Sequence, residues 1–297
     1  MTYGFTWVFI NIFAARIGDE RRRRRFRSGI RKNPGQTKKS PLLRLLDGPY
    51  RPLDYRNPVR AMNLILLSQD DFLSESHVRL TGRRLEHVNN VHRVKAGDVL
   101  RVGLLNGGMG QARITALDSQ GLEMDVVLNQ PPPPKLPLTL VIALPRPKAL
   151  NRVIAAATSL GAARIILLNA WKVEKSYWKS PRLDAANLLH QRILGLEQAM
   201  DTMLPELRLA RFFAPFVRDE LPGLASQTRC LIAHPQADAP CPMGLKESCT
   251  LVLGPEGGFI PDEVSAFENI GFQSVSLGPR ILRTETALAA LVGRFYF

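Results

Sequence analysis

Apolar positions along the chain follow two patterns. From Met62 to about Val127 they come in short runs, Leu64 to Leu67, Val99 to Val102, Ala112 to Leu117 and Leu122 to Leu128, separated by Gly or Asp turns. That spacing predicts small strands of a β-barrel. Gly97-Asp98 and Asn106-Gly107-Gly108 supply turn residues that tolerate positive φ. Pro131 to Pro134 then forms a stiff connector that can enter neither a ladder nor a helix interior. It divides a first domain, residues 62–134, from a second, residues 135–297.

Beyond the connector the runs lengthen. Leu138 to Leu144 is a continuous strand, apolar but for Thr139, a helix from about Ala149 to Leu160 stops at Gly161, and Arg164 to Leu168 is a second buried strand, which together make a βαβ unit. A helix over Leu183 to Met203 and strands at Cys230 to Ala233 and Thr250 to Leu253 continue the alternation. Pro261 with Asp262 and Glu263 opens a helix that ends near Gly271. Ser274 to Leu277 is the last strand, and Thr284 caps the terminal helix. The pattern predicts an α/β fold, a parallel sheet with helices on both faces. The stripe Leu189, Ile193, Leu196 and Met200 reads as core or as a dimer face.

Composition refines this picture. At 297 residues and 45% apolar content the chain holds two globular domains. Its net charge of +14 is uneven: residues 1–61 carry 15 Lys and Arg against 4 Asp and Glu, and the remainder 25 against 22. The run Arg21 to Arg25, with Lys38 and Lys39, either meets RNA phosphates or stays a disordered like-charge block. The apolar stretch from Tyr3 to Ile17 is shorter than the ~20 residues that span a bilayer, and it precedes its charges, unlike a secretory signal. Residues 1–61 therefore read as a basic, disordered upstream extension or a start site assigned too early, with no membrane anchor. Cys230, Cys241 and Cys249 lack C-x-x-C spacing and the five histidines lack H-E-x-x-H. A reducing cytoplasm, no disulfide framework and no metal are expected.

Two loops carry candidate chemistry. Leu253-Gly254-Pro255-Glu256-Gly257-Gly258-Phe259 follows an all-apolar strand, at the edge where α/β sheets place ligands. It is neither a Walker loop nor a G-x-G-x-x-G turn; by spacing alone it is either a ligand-holding turn or a glycine-rich turn without chemical consequence. Leu277-Gly278-Pro279-Arg280-Ile281-Leu282-Arg283-Thr284-Glu285-Thr286-Ala287 repeats the Leu-Gly-Pro entry. Two such turns aimed into one crevice would hold a nucleoside through backbone groups. Arg283 and Glu285 flank a helix start, where free amides favour negative charge; the plain alternatives are an Arg283–Glu285 surface ion pair and a simple helix cap.

LGPEGGF, the Pro-Asp-Glu helix start and LGPRILRTETA together resemble the 16S ribosomal RNA uracil-N3 methyltransferases of the SPOUT superfamily. The resemblance extends through Ala143-Leu144-Pro145, Lys148, Ala157 to Gly161, Glu174-Lys175-Ser176 and Glu197-Gln198, and more weakly through His87 to Asp98. It implies a trefoil-knotted sheet after a PUA-like barrel, S-adenosylmethionine as cofactor, a homodimer, and ribosomal RNA or the small ribosomal subunit as partner. Ala233, His234, Pro235, Leu253, Gly254, Pro255, Glu256, Gly257, Gly258, Leu277, Gly278, Ile281, Leu282, Arg283, Thr284 and Ala287 would bind the cofactor. Arg283 would stabilise the imide anion of uracil, with Glu256 or Glu285 as base. Arg83, Arg84, Arg93, Lys148, Lys172, Lys175 and Lys179 would meet RNA. The family usually has Glu at Ser159, Arg at Asp201, Ser or Thr at Ile260, a basic residue at Asn90 and Asp-Gly at the Asn106 turn. These departures keep two rivals open: a catalytically silent RNA-binding or ribosome-assembly protein, and a paralogue acting at another RNA site.

Overall fold

Alternating burial builds the first sheet. In β4 (Met109–Leu117) the side chains of Ala112 and Ile114 turn inward while Gln111 and Arg113 face water. Around it lie β1 (Ile65–Leu67), β2 (His77–Leu80), β3 (Val99–Leu104) and β5 (Leu122–Gln130), in the order β1-β3-β4-β5-β2. Register shifts between Met109 and Gln111 and between Ile114 and Ala116 bend β4 against β5. The sheet wraps a core of Val78, Leu80, Leu100, Ile114, Leu122 and Met124. Among the described residues no ladder joins β1 to β2, so the expected barrel is an open, curled sheet. Chain from the second half occupies the approach to β1: the Leu64 amide donates to the Glu197 carbonyl at 3.1 Å.

This computed structural model describes residues 63–82, 84–86, 88 and 94–297, all within one unit, Asn57–Phe297. The basic segment and the apolar stretch of residues 1–61 lie outside them, as do Arg83, His87, Asn90 and Arg93. No helix among the described residues is long and apolar enough to cross a membrane.

The second sheet is wholly parallel. Its strands β6 (Leu136–Ala143), β7 (Ala162–Leu168), β8 (Glu206–Ala210), β9 (Arg229–Ala233), β10 (Cys249–Leu253) and β11 (Gln273–Val275) lie in the order β11-β9-β10-β6-β7-β8. β10 is buried throughout, its apolar side chains interrupted by Thr250, whose hydroxyl meets that of Thr228 at 2.9 Å. Helices α1 (Pro147–Ser159), α2 (Ala185–Ala199), α3 (Pro261–Glu268) and α4 (Thr284–Tyr296) flank it, and α1 packs against both α2 and α4. Because every strand points the same way, the loops leaving β6, β9, β10 and β11 gather on one edge.

Two helix boundaries differ from the sequence reading. α2 ends at Met200, whose φ of 53° is left-handed, so the chain turns without a glycine and frees Glu206–Ala210 to form β8. Thr284 does not cap α4; the cap position is Arg283, without a side-chain cap bond, and Thr284 turns inward as a buried residue.

The expected stripe on α2 holds the two sheets together. Leu196 is fully buried against Leu64 and Leu66, with Ile193 and Met200 beside it, whereas Leu189 stays exposed. Here too lies Asp201, buried, its carboxylate 2.7 Å from the Lys135 ammonium and 2.9 Å from the Met203 amide. The neighbouring turn at Asn106, φ 58°, donates its amide to the Thr202 carbonyl at 2.8 Å and accepts the Leu204 amide on its side chain at 3.0 Å. Asp201 and the Asn106 turn, two of the departures from the family pattern, are thus neighbours in one structural junction.

Candidate functional site

Three loops at the carboxyl edge meet. The turn after β10 passes close to its own return: a Cβ on Gly254 would stand 3.2 Å from the Phe259 ring. In the turn after β11, Gly278 has φ 113°, a conformation that side chains rarely adopt. Ser276 fastens this turn to the loop after β9. Its hydroxyl accepts the Gly278 amide at 3.0 Å and lies 3.3 Å from the Pro235 carbonyl, while its backbone pairs with Ala239 and Cys241. The His234 amide donates to the Val275 carbonyl at 2.9 Å.

A cleft of about 300 Å³ opens between them. Its walls are Ala233, His234 and Pro235; Leu253, Gly254, Pro255, Glu256 and Gly258; and Leu277, Gly278, Ile281, Leu282, Arg283, Thr284 and Ala287. The two Leu-Gly-Pro turns therefore share one pocket. Gly257 does not line it; it faces Lys172, whose ammonium donates to the Gly257 carbonyl at 2.8 Å. Arg146, Phe259, Val275, Arg280 and Leu291 also line the cleft and were not anticipated. Arg146 was legible in principle, since Arg146-Pro147 leaves the apolar strand β6 at the same edge.

A second cleft, about 600 Å³, adjoins the first and is lined by Arg146, Pro147, Lys148, Ala149, Arg152, Tyr177, Glu256, Arg283, Thr284 and Glu285. Arg146, Glu256, Arg283 and Thr284 border both. Four cations face two carboxylates in the second cleft, a balance that favours an anionic occupant. The carboxylates are held: Glu256 accepts the Arg146 amide at 3.1 Å and its side chain at 3.2 Å, and Glu285 accepts Arg152 at 3.1 Å. The Arg283–Glu285 ion pair, the plain alternative to a chemical role for Arg283, does not form: Glu285 pairs with Arg152, and among the described residues Arg283 has no carboxylate at ion-pair distance. Burial pushes the Glu285 carboxyl up, but its own backbone amide, the Arg152 hydrogen bond and the charges of Arg152 and Arg283 outweigh it and leave the group below its ordinary value. Tyr177 stays protonated, raised by burial and by its hydrogen bond to Glu174.

The other candidate contacts divide. Lys148 lines the second cleft, and Lys175 and Lys179 are exposed. Arg84 is no free RNA contact: its guanidinium grips Asp71 with two bonds of 2.5 Å and the Leu66 carbonyl at 3.2 Å. Arg83 and Arg93 lie outside the described residues. At Ile260 the capping hydroxyl of the family pattern is missing, yet Glu263 still accepts the Ile260 amide at 3.1 Å and the Trp171 amide at 2.7 Å. No cluster of three or more His, Cys, Asp or Glu side chains suited to a metal occurs among the described residues.

Residues 132–295 match the family model of the RNA methyltransferase domain. The ribosomal RNA small subunit methyltransferase E of Synechocystis is 32% identical over 243 residues, covering 77% of this chain and 75% of that protein. The protein of the same name from Treponema pallidum is 29% identical over 235 residues, 77% of this chain and 88% of its own. A Legionella pneumophila structure described as a methyltransferase in complex with the cofactor SAM superposes with a TM-score of 0.60 at 26% identity, covering 77% of this chain and 95% of that one.

Proposed function

Since the chain belongs to the RNA methyltransferase domain family, we propose that it moves a methyl group from S-adenosylmethionine to N3 of a uridine in 16S ribosomal RNA. One observation carries the reading: two clefts, one walled by the loops after β9, β10 and β11, the other by α1 and the start of α4, share the wall Arg146, Glu256, Arg283 and Thr284. A donor and an acceptor nucleotide would meet there. S-adenosylmethionine fits the first cleft. Leu253, Phe259, Val275 and Leu291 give it apolar sides, and Gly254 and Gly278 keep its backbone walls free of side chains. When bound, the cofactor supplies an electrophilic methyl on sulfur.

The chain's own residues then have defined tasks. Uracil N3 carries a proton and a delocalised lone pair, so it reacts only as the imide anion is favoured. Arg283, on the shared wall and without a carboxylate at ion-pair distance among the described residues, stabilises negative charge on a uracil carbonyl oxygen. Glu256 accepts the proton, because it borders both clefts. Glu285 borders only the second. Lys148 and Arg152 meet the nucleotide's phosphates. The base must arrive unpaired, since N3 is otherwise inside a Watson–Crick pair. In this reading residues 62–134 grip RNA, residues 135–297 form a trefoil-knotted transferase, and Ile281, 84% exposed at the cleft, is covered by a second copy.

The silent-protein alternative drew on the altered barrel and on Asp201, and Asp201 is engaged in a buried pair with Lys135. The test is a calorimetric titration with S-adenosylmethionine, followed by mass mapping of small-subunit RNA from a deletion strain after incubation with protein and cofactor. Saturable binding and one new methyl on a uridine base are expected. No cofactor binding, or a methyl on ribose or another base, would refute the proposal.

A further inference from the structure

The carboxyl edge of the second sheet also carries an aromatic ledge that methyl transfer does not use. β7 and β8 run side by side with Leu168 opposite Ala210, and the Asn169 amide donates to the Ala210 carbonyl at 2.9 Å, so the segments leaving the two strands start together. Each carries a ring in water: Trp171 is 78% and Phe212 72% exposed. Both segments are anchored on α3, Trp171 by its amide bond to Glu263 at 2.7 Å and the Phe212 segment by the edge of Phe213 against Phe267 at 5.4 Å. The backbones are thus fixed while the rings remain uncovered. Trp178 stands beside them, its indole N–H on the Asn169 side chain at 2.8 Å and the Arg211 guanidinium over its ring at 5.1 Å.

Charge surrounds these rings. Lys172 and Lys175 are exposed on the same segment, and the nearby Glu174 carboxylate is already engaged by the Ser176 and Tyr177 hydroxyls. Through its bond to the Gly257 carbonyl, Lys172 ties the ledge to the loop that walls the first cleft.

The geometry points to a stacking platform for unpaired RNA nucleotides that flank the reacting one. Bases would lie on Trp171, Phe212 and the Arg211–Trp178 pair, and phosphates would meet Lys172 and Lys175. The inference rests on the RNA-substrate reading above. A nucleic acid suits the ledge better than a second copy of the chain, because a two-fold contact sets a patch against itself and would bring the same cations face to face.

The test titrates the full-length protein with a short single-stranded oligoribonucleotide and with an abasic oligomer of equal length. Tryptophan fluorescence reports stacking and sedimentation reports mass. Trp171→Ala and Phe212→Ala should each weaken the base-bearing oligomer roughly 5- to 100-fold and leave the abasic one unchanged; Trp171→Phe should restore most of the affinity. Wild-type affinity in both alanine variants, or equal weakening of both oligomers, overturns the ledge alone. A fall in assembly mass in those variants assigns the rings to a protein interface and also overturns it. If the wild-type protein binds neither oligomer, the RNA reading falls, and the ledge with it.

Discussion

The Lys135–Asp201 pair offers a quantitative test of how the two sheets are joined. At 2.7 Å the gross attraction is about 6 kcal/mol for an effective dielectric of about 20, and desolvation of both ions cancels much of it. The partners are unequally buried: the Asp201 side chain is 5% exposed and that of Lys135 18%. Lys135→Met strands a buried carboxylate that keeps the Met203 amide but no countercharge among the described residues, and should cost about 3–5 kcal/mol. Asp201→Asn leaves an ammonium that can reach water, and should cost about 2 kcal/mol. The double variant Lys135→Met with Asp201→Asn should recover part of the summed loss, a coupling of about 1–3 kcal/mol. Urea unfolding with linear extrapolation measures all three; Tm should fall by roughly 10 °C for Lys135→Met. The reasoning fails if both single variants lose less than about 1 kcal/mol, if Asp201→Asn costs more than Lys135→Met, or if the losses simply add.

Three further outcomes are expected. Arg283→Ala should lower kcat about 10²- to 10³-fold with cofactor affinity in calorimetry nearly unchanged; full turnover would remove its proposed role. Gly278→Ala imposes a strain of about 1–3 kcal/mol at φ 113° and should weaken cofactor binding together with thermal stability, so unaltered titration isotherms would show that the turn tolerates a side chain. Glu285 has a folded pKa below its unfolded value of about 4.3, so its contribution is present above that value and is lost as pH falls through the lowered one. Glu285→Gln should therefore destabilise the protein at neutral pH and match wild type in strong acid; a constant gap across pH would contradict this.

What the chain made readable follows from how local each signal is. The Gly254 and Gly278 turns announced themselves because a close approach and a left-handed backbone demand particular residues, and the largely apolar runs Leu138–Ala143 and Cys249–Leu253 follow from burial on both faces. Arg152 and Tyr177 come to the second cleft only through the parallel topology, which leaves no mark on their neighbours in sequence. β2 is a four-residue strand with one alternation, and β8 is a half-exposed edge strand hidden behind a helix that ends at Met200 without a glycine. Arg84 read as a surface cation because its partner, Asp71, lies on a different turn of chain. The Asp201 departure looked like a lost RNA contact; only the fold reveals that Lys135 stands opposite.

Ser276 stiffens the rim of the first cleft. With its side chain and both backbone groups engaged across two loops, the rim of the first cleft is cross-braced before any ligand arrives. Little chain disorder then remains to be quenched on binding, so a Ser276→Ala variant should loosen the rim and show its defect as faster ligand escape rather than slower capture.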